Sequence, residues 1–283
     1  MASGPSMDLK ATKYAENHGV ATIILSRPDS HNAWTGRMHT ELRHLIEVAE
    51  TAPDVRVIIL TGDPAGRTFC PGGDAKALAG HAERGGYDPG TPADLAQPGY
   101  GTRKEFDADF AYLLGLETTV IAAVNGAAAG VGLALLCWCD VRIVSDTAKL
   151  TSAHGKLNLP AEYGLSWILP RLVGRGAAVD ILLTSRIVLG AEAATIGLAT
   201  KAVGADQVLA TAVEYAQQLI DTVSPHSLRA TKRQLAIDTL HGNPADSVRD
   251  AQTRLEQMMT EADYREGATA LNERRTPRWG PST

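Results

Sequence analysis

The sequence predicts an α/β protein with a largely parallel sheet and a helical C-terminal region. Short β-rich runs alternate with helical stretches over the first two hundred residues, and only helical patterns follow Asp206. Composition adds a third observation. Hydrophobic residues make up 44% of the 283 positions but aromatics only 5%, and there are 27 glycines, so the core is made of small side chains and close backbone approaches.

Leu9 to Ala15 and Val20 to Leu25 are β-rich runs joined by Glu16-Asn17-His18-Gly19, which reads as a hairpin. Thr35 to Glu50 places Met38, Leu42, Leu45 and Ala49 at helical spacing. Val55 to Leu60 is a buried strand, and Thr68 to Asp74 is a glycine-rich bend. Residues 80 to 102 carry repeated Gly and Pro with few apolar anchors, the pattern of a mobile surface loop. Phe106 to Leu116 reads as helix, and Val120 to Val124 and Val141 to Val144 read as strands. Val120 to Cys139 is uncharged and long enough to span a bilayer, but Asn125-Gly126 and the glycines at 126, 130 and 132 favour a buried strand, a turn and a helix start. Ser224-Pro225 and Asn243-Pro244 are cap-plus-proline helix starts. The second of these helices carries Val248, Ala251, Leu255 and Met258 or Met259 on one face, a stripe suited to packing, here against another subunit.

Lys and Arg number 27 against 32 Asp and Glu, a net charge of −5, which argues against a nucleic-acid binder. Three cysteines do not make a secreted disulfide framework, and the N-terminus lacks the basic and apolar regions of a signal peptide; the expectation is a cytoplasmic protein without membrane segments. Several motifs fail. Gly130-Val131-Gly132 lacks the third glycine of a dinucleotide fingerprint, and Ile168 stands where a nucleophile elbow at Ser166 needs glycine. Cys137 and Cys139 have no second pair, and no metal is expected.

Two glycine-rich segments survive, each following a buried strand: Phe69-Cys70-Pro71-Gly72-Gly73-Asp74, and Asn125 to Gly132. Backbone without bulky side chains can bring free N–H groups against a ligand oxygen, and a helix starting near Gly130 adds unpaired amides and its positive dipole end. Taken singly, each segment is equally a tight turn or a packing site. In this order and spacing, together with Gly19 to Pro28, Asn32-Ala33, Cys139-Asp140, Glu162 to Trp167, Leu169 to Gly174 and the tail Glu273 to Trp279, they resemble the crotonase family, the enoyl-CoA hydratases and isomerases.

The resemblance implies a spiral core of repeated ββα units over residues 1–200 and a helical trimerisation region over 201–283, assembled as a homotrimer or hexamer. It places oxyanion-binding amides on Gly73 and Val131, with the thioester carbonyl of an acyl-CoA substrate between them. Backbone around Cys70 and Gly72, with Ala33 and Trp34 nearby, would line the CoA path. Arg27 and Lys76 are either phosphate neighbours or solvated charges. No separate cofactor is implied; coenzyme A arrives as part of the substrate.

The pattern also breaks. Hydratases of the family carry two catalytic glutamates, and in register these fall on Ala134 and His154. Glu162 stands where single-glutamate isomerases of the family carry their acid/base. One carboxylate suffices for a 1,3-proton shift. Glu162 is thus either that base or an acid at the surface or at a helix N-terminus. His154 is either a second acid/base or a hydrogen-bonding wall residue, and Asp74 and Asp140 cap local amides. Dehalogenation, decarboxylation, C–C cleavage and an acyl-CoA-binding protein without turnover remain open alternatives.

Overall fold

The computed structural model describes residues 7–240 and 242–280. β1 (Thr12–Asn17) and β2 (Val20–Leu25) form the hairpin, with Gly19 at φ 79° in the turn. β1 starts three residues later than the sequence pattern suggests. The backbone before it is held elsewhere: the N–H groups of Lys10 and Ala11 donate to the Glu41 carboxylate at 2.8 and 2.9 Å. Glu41 lies on α1 (Gly36–Thr51), whose first turn is capped by the Thr35 hydroxyl. Met38, Leu42, Leu45, Ile46 and Ala49 form its buried face, as the spacing predicts.

From here the chain repeats a simple unit: a strand in a large sheet, a short strand in a small one, then a helix. β3 (Val57–Gly62), β4 (Thr68–Cys70) and α2 (Ala75–Arg84) make one unit. β5 (Thr119–Val124), β6 (Ala127–Ala129) and α3 (Val131–Trp138) make the next, and β7 (Val141–Ser145), β8 (Lys149–Thr151) and α4 (Leu165–Thr184) the third. β9 (Val188–Leu189), α5 (Gly190–Thr195) and β10 (Lys201–Val203) follow. The large sheet runs β1-β2-β3-β5-β7-β10 and the small one β4-β6-β8-β9. Only the β1–β2 and β8–β9 pairs are antiparallel. This is the ββα spiral of the expected fold class.

The inner strands β3 and β5 of the large sheet are buried on both faces, which explains their nearly continuous apolar runs. Ile58, Leu60, Val120, Ala122 and Val124 face α1 and α3; Val57, Ile59, Ile121 and Ala123 face Val208, Ala212 and Ala216 of α6 (Val208–Thr222). Three further helices close the described chain: α7 (Pro225–Asp238), α8 (Pro244–Met258) and α9 (Ala262–Glu273). Ser224 and Asn243 cap α7 and α8 as predicted. The Lys232 ammonium on α7 is buried, donating to the Thr118 carbonyl at 2.7 Å and to Asp140 at 2.8 Å. Asp140 also accepts the Val120 N–H, at 2.7 Å.

Two sequence expectations are corrected. Phe106 to Leu116 is not a helix but two short 3₁₀ turns, Lys104–Phe106 and Ala111–Gly115, separated where Phe110 takes a positive φ of 63°. Gly115 there presses so closely on Gly99 that a Cβ would lie 2.1 Å from the Gly99 carbonyl oxygen. The expected loop at 80 to 102 starts later, because α2, capped by Asp74, runs to Arg84. The uncharged stretch from Val120 is strand, turn, strand and helix. Among the described residues no helix is long and apolar enough to cross a membrane.

The Glu41 cluster predicts acid sensitivity. Burial opposes its charge, yet the Arg37 guanidinium, the Lys10 and Ala11 amides and the Thr12 hydroxyl outweigh burial and hold the carboxyl below its ordinary 4.5. Its contribution to stability is therefore full above that value and lost as pH falls through the depressed folded value. Glu41→Gln is expected to cost about 1–3 kcal/mol at neutral pH by leaving charge-assisted donors poorly paired. Chemical denaturation at pH 7 and pH 4 should show the gap to wild type narrowing in acid.

Candidate active site

The ends of the ββα units converge on one cavity of about 670 Å³. Gly72 and Gly73 reach it from the bend between β4 and α2, Gly130 and Val131 from the start of α3, and Ser152 to His154 from the end of β8. Residues 85 to 89, from the loop after α2, and Leu157, Leu159, Glu162 and Tyr163 close its sides.

Glycine geometry brings these backbones together. Gly72 has φ 114° and Gly130 φ 53°, conformations that favour glycine. At Gly132, a Cβ would lie 2.1 Å from the Cys70 carbonyl oxygen, so only glycine lets the first turn of α3 seat against β4. Trp34 forms an isolated parallel bridge with Gly73: its N–H donates to the Gly72 carbonyl at 2.8 Å, and its carbonyl accepts the Asp74 N–H at 2.9 Å. The Gly73 N–H itself donates to no protein group among the described residues. Val131, first residue of α3, has no intrahelical partner for its N–H and finds none elsewhere among them.

The remaining candidate groups come from the segment between β8 and α4. Ala153 takes a left-handed conformation, φ 57°, and opens the turn His154–Leu157. His154 is 9% exposed, and its Nδ1 has no hydrogen-bond partner among the described residues. Glu162 caps nothing: the N-cap of α4 is Gly164, and no side chain bonds that helix end. The Trp138 indole N–H donates to the Tyr163 carbonyl at 2.8 Å, and Trp138 stacks on Trp167 with centroids 5.5 Å apart, fixing the backbone beside Glu162. Partial burial raises the Glu162 carboxyl above the ordinary 4.5, with the charge of His154 pulling the other way. The second carboxylate of the wall, Asp88, lies on the exposed loop and accepts the Gly90 N–H at 2.8 Å.

Gly72, Gly73, Val131, His154, Glu162 and Trp34 thus share one wall. Arg27, Ala33, Cys70 and Lys76 are not part of it. The Arg27 guanidinium donates to the Ala33 carbonyl at 2.7 Å and to Asp74 at 3.0 Å, tying the turn before α1 to the N-cap of α2. Lys76 is exposed on α2, one residue before the cavity-lining Ala77. Cys70 is wholly buried and its thiol is pushed up to about 12 by burial, as is that of Cys137. Ala134 is fully buried in α3. No cluster among the described residues could hold a metal ion.

Sequence reading missed His39, Tyr87 and Tyr163, all in the wall. His39 follows Met38 on α1 and is 4% exposed; an imidazole among the apolar positions of that helix was the available signal. A second cavity of similar size lies across Tyr163, lined by Phe106, Leu114, Trp138, Trp167 and Leu240 among others.

The family model for enoyl-CoA hydratase/isomerase matches residues 15–282. The chain belongs to the enoyl-CoA hydratase/isomerase family. It is 32% identical over 263 residues to the 1,2-epoxyphenylacetyl-CoA isomerase of Escherichia coli strain K12, covering 92% of this chain and 95% of that one. Its structure is similar to a "probable enoyl-CoA hydratase/isomerase" from Mycobacterium abscessus, with TM-score 0.83, 30% identity and coverage of 95% and 98%. It also resembles the enoyl-CoA hydratase of Bacillus anthracis, with TM-score 0.81, 25% identity and coverage of 95% and 99%. Such agreement over whole chains places this member among the acyl-CoA enzymes of the family, with the same crotonase fold.

Proposed function

We propose that the cavity binds an acyl-CoA thioester with its carbonyl oxygen between the Gly73 and Val131 N–H groups, and that Glu162 moves the proton in a double-bond isomerisation. One observation carries this reading: two unpartnered amides and a half-buried carboxylate of raised pKa line the same cavity. Glu162 takes the α-proton of a 3-enoyl thioester, the electron pair passes into the dienolate held by the two amides, and the proton returns at the γ-carbon. A carboxylate with a raised pKa suits both halves of that cycle. With Ala134 and His154 standing where hydratases of the family carry glutamates, isomerisation through Glu162 is favoured over hydration.

Backbone near Cys70 and Gly72, with Ala33 and Trp34, serves the CoA arm, and Lys76, exposed on α2 beside the cavity-lining Ala77, offers a cation to its phosphates; Arg27 acts through its clamp on Ala33 and Asp74. The assay pairs crotonyl-CoA hydration with 3-enoyl-CoA isomerisation. Faster isomerisation supports the proposal; dominant hydration, or absence of CoA binding, overturns it. Self-association is the companion expectation. Leu235, Val248, Leu255 and Leu271 are exposed in the C-terminal helices, at 67, 57, 58 and 79%, and trimer or hexamer contacts would bury them. Light scattering should return three or six times the 29.9 kDa chain mass; a monomer refutes this.

A further inference from the structure

The second cavity, about 670 Å³, is as large as the one lined by Glu162 and has no part in the chemistry above. Its volume lies in the range of sites that enclose small molecules. Phe106, Leu114, Trp138, Trp167 and Leu240 give it an apolar lining, and the small side chains of Ala108 and Ala111 leave its space unfilled. Its charged residues are two carboxylates, each beside an arginine: Glu105 at 3.7 Å from Arg103, and Asp109 at 3.1 Å from Arg43. No group in this lining suits an anionic ligand. An alkyl group moved there from water gains the hydrophobic effect.

Among the described residues Tyr163 alone lines both cavities. It follows Glu162 directly, so the partition stands beside the proposed acid/base. Its backbone is fixed: the Tyr163 carbonyl accepts the Trp138 indole N–H at 2.8 Å, and a Cβ on Gly164 would lie 2.8 Å from the Trp138 ring. Its side chain is held more lightly. The ring is partly exposed and packs on Phe110, with centroids 5.0 Å apart, while the hydroxyl meets that of Tyr87, at 3.0 Å, on an exposed loop. A change of side-chain rotamer would join the two cavities without moving the backbone.

We infer that the acyl group is a long, unbranched alkyl chain whose far end lies in the second cavity, and that the Tyr163 side chain is the gate it passes. This rests on the acyl-CoA reading above and adds the class of acyl group. Position argues for this occupant. The apolar space begins at the residue next to Glu162, where the acyl group must lie if that carboxylate reaches Cα.

Calorimetric titration with butanoyl-, octanoyl-, dodecanoyl- and tetradecanoyl-CoA, each below its micellar concentration, tests it. A buried methylene is worth about fourfold in affinity, so dodecanoyl-CoA should bind at least about tenfold tighter than octanoyl-CoA. Ala108→Trp, at an exposed position, fills the second cavity, and Leu240→Asp, just after α7, places a charge in it. Each should remove the gain from the longer chain and leave octanoyl-CoA affinity unchanged. Absence of that gain in the wild type, or its survival in either folded variant, overturns the second-cavity assignment; octanoyl-CoA binding then leaves the acyl-CoA reading standing. Tyr163→Phe keeps the ring and drops the Tyr87 contact. It should speed dodecanoyl-CoA association in stopped flow by about threefold or more, the weight of one hydrogen bond; an unchanged rate overturns the gate. Failure of every thioester to bind removes the acyl-CoA reading itself.

Discussion

Glu162→Gln is expected to lower isomerisation turnover by about 10²–10⁴-fold, the usual contribution of a positioned acid/base, while acyl-CoA still binds. The same substitution should raise thermal stability at neutral pH. Burial lifts the Glu162 carboxyl above its ordinary 4.5, so above that pH the folded protein carries a desolvated charge that the unfolded chain keeps in water. Gln removes that penalty. The stability gain should fade as pH falls through the raised folded value and be gone below the ordinary carboxylate value, where both states are protonated. For activity the sign is opposite. The base must be ionised, so the acid limb of the wild-type profile should stand above 4.5, displaced by the burial that raises the group. Loss of turnover with gain of stability marks a residue kept for chemistry at the expense of the fold. Unchanged turnover would assign Glu162 to the wall alone.

Val131→Pro addresses the amides. Proline is well tolerated at the first position of a helix, where the N–H has no intrahelical partner, and Gly130, at φ 53° and ψ −117°, lies outside the helical region that a following proline disfavours. The substitution removes one N–H while keeping a compact apolar side chain at a buried position. If Val131 supplies half of the carbonyl site, kcat should fall by about 10²–10³-fold, with the melting temperature nearly retained. A fall in melting temperature with normal turnover per folded molecule would remove Val131 from the chemistry. His154, its Nδ1 buried on the same wall without a partner among the described residues, must keep its environment in both variants for the comparison to hold.

Much of this was legible in the residues. The hairpin, α1, the strands at β3, β5 and β7 and the capped starts of α7 and α8 follow from alternation, helical spacing and Ser-Pro or Asn-Pro signals, which act locally. The glycine segments at 72–73 and 130–132 were readable because backbone contact leaves no other residue type possible at Gly132. Three-residue strands such as β6 and β8 are too short to show a period, and their pairing depends on residues far along the chain. The segment from Phe106 to Leu116 carried a helical pattern that tertiary contact overrode, through the Gly99–Gly115 approach and the positive φ at Phe110. Trp34, Tyr87 and Tyr163 line the cavity from three separate parts of the sequence. Only folding brings them to one cavity.

The most direct test is a crystal structure with a non-reactive acyl-CoA bound. The thioester oxygen should lie about 2.7–3.1 Å from both the Gly73 and Val131 nitrogens, with a Glu162 carboxylate oxygen beside Cα. A thioester oxygen turned away from those amides, or a side chain other than Glu162 next to Cα, would contradict the account.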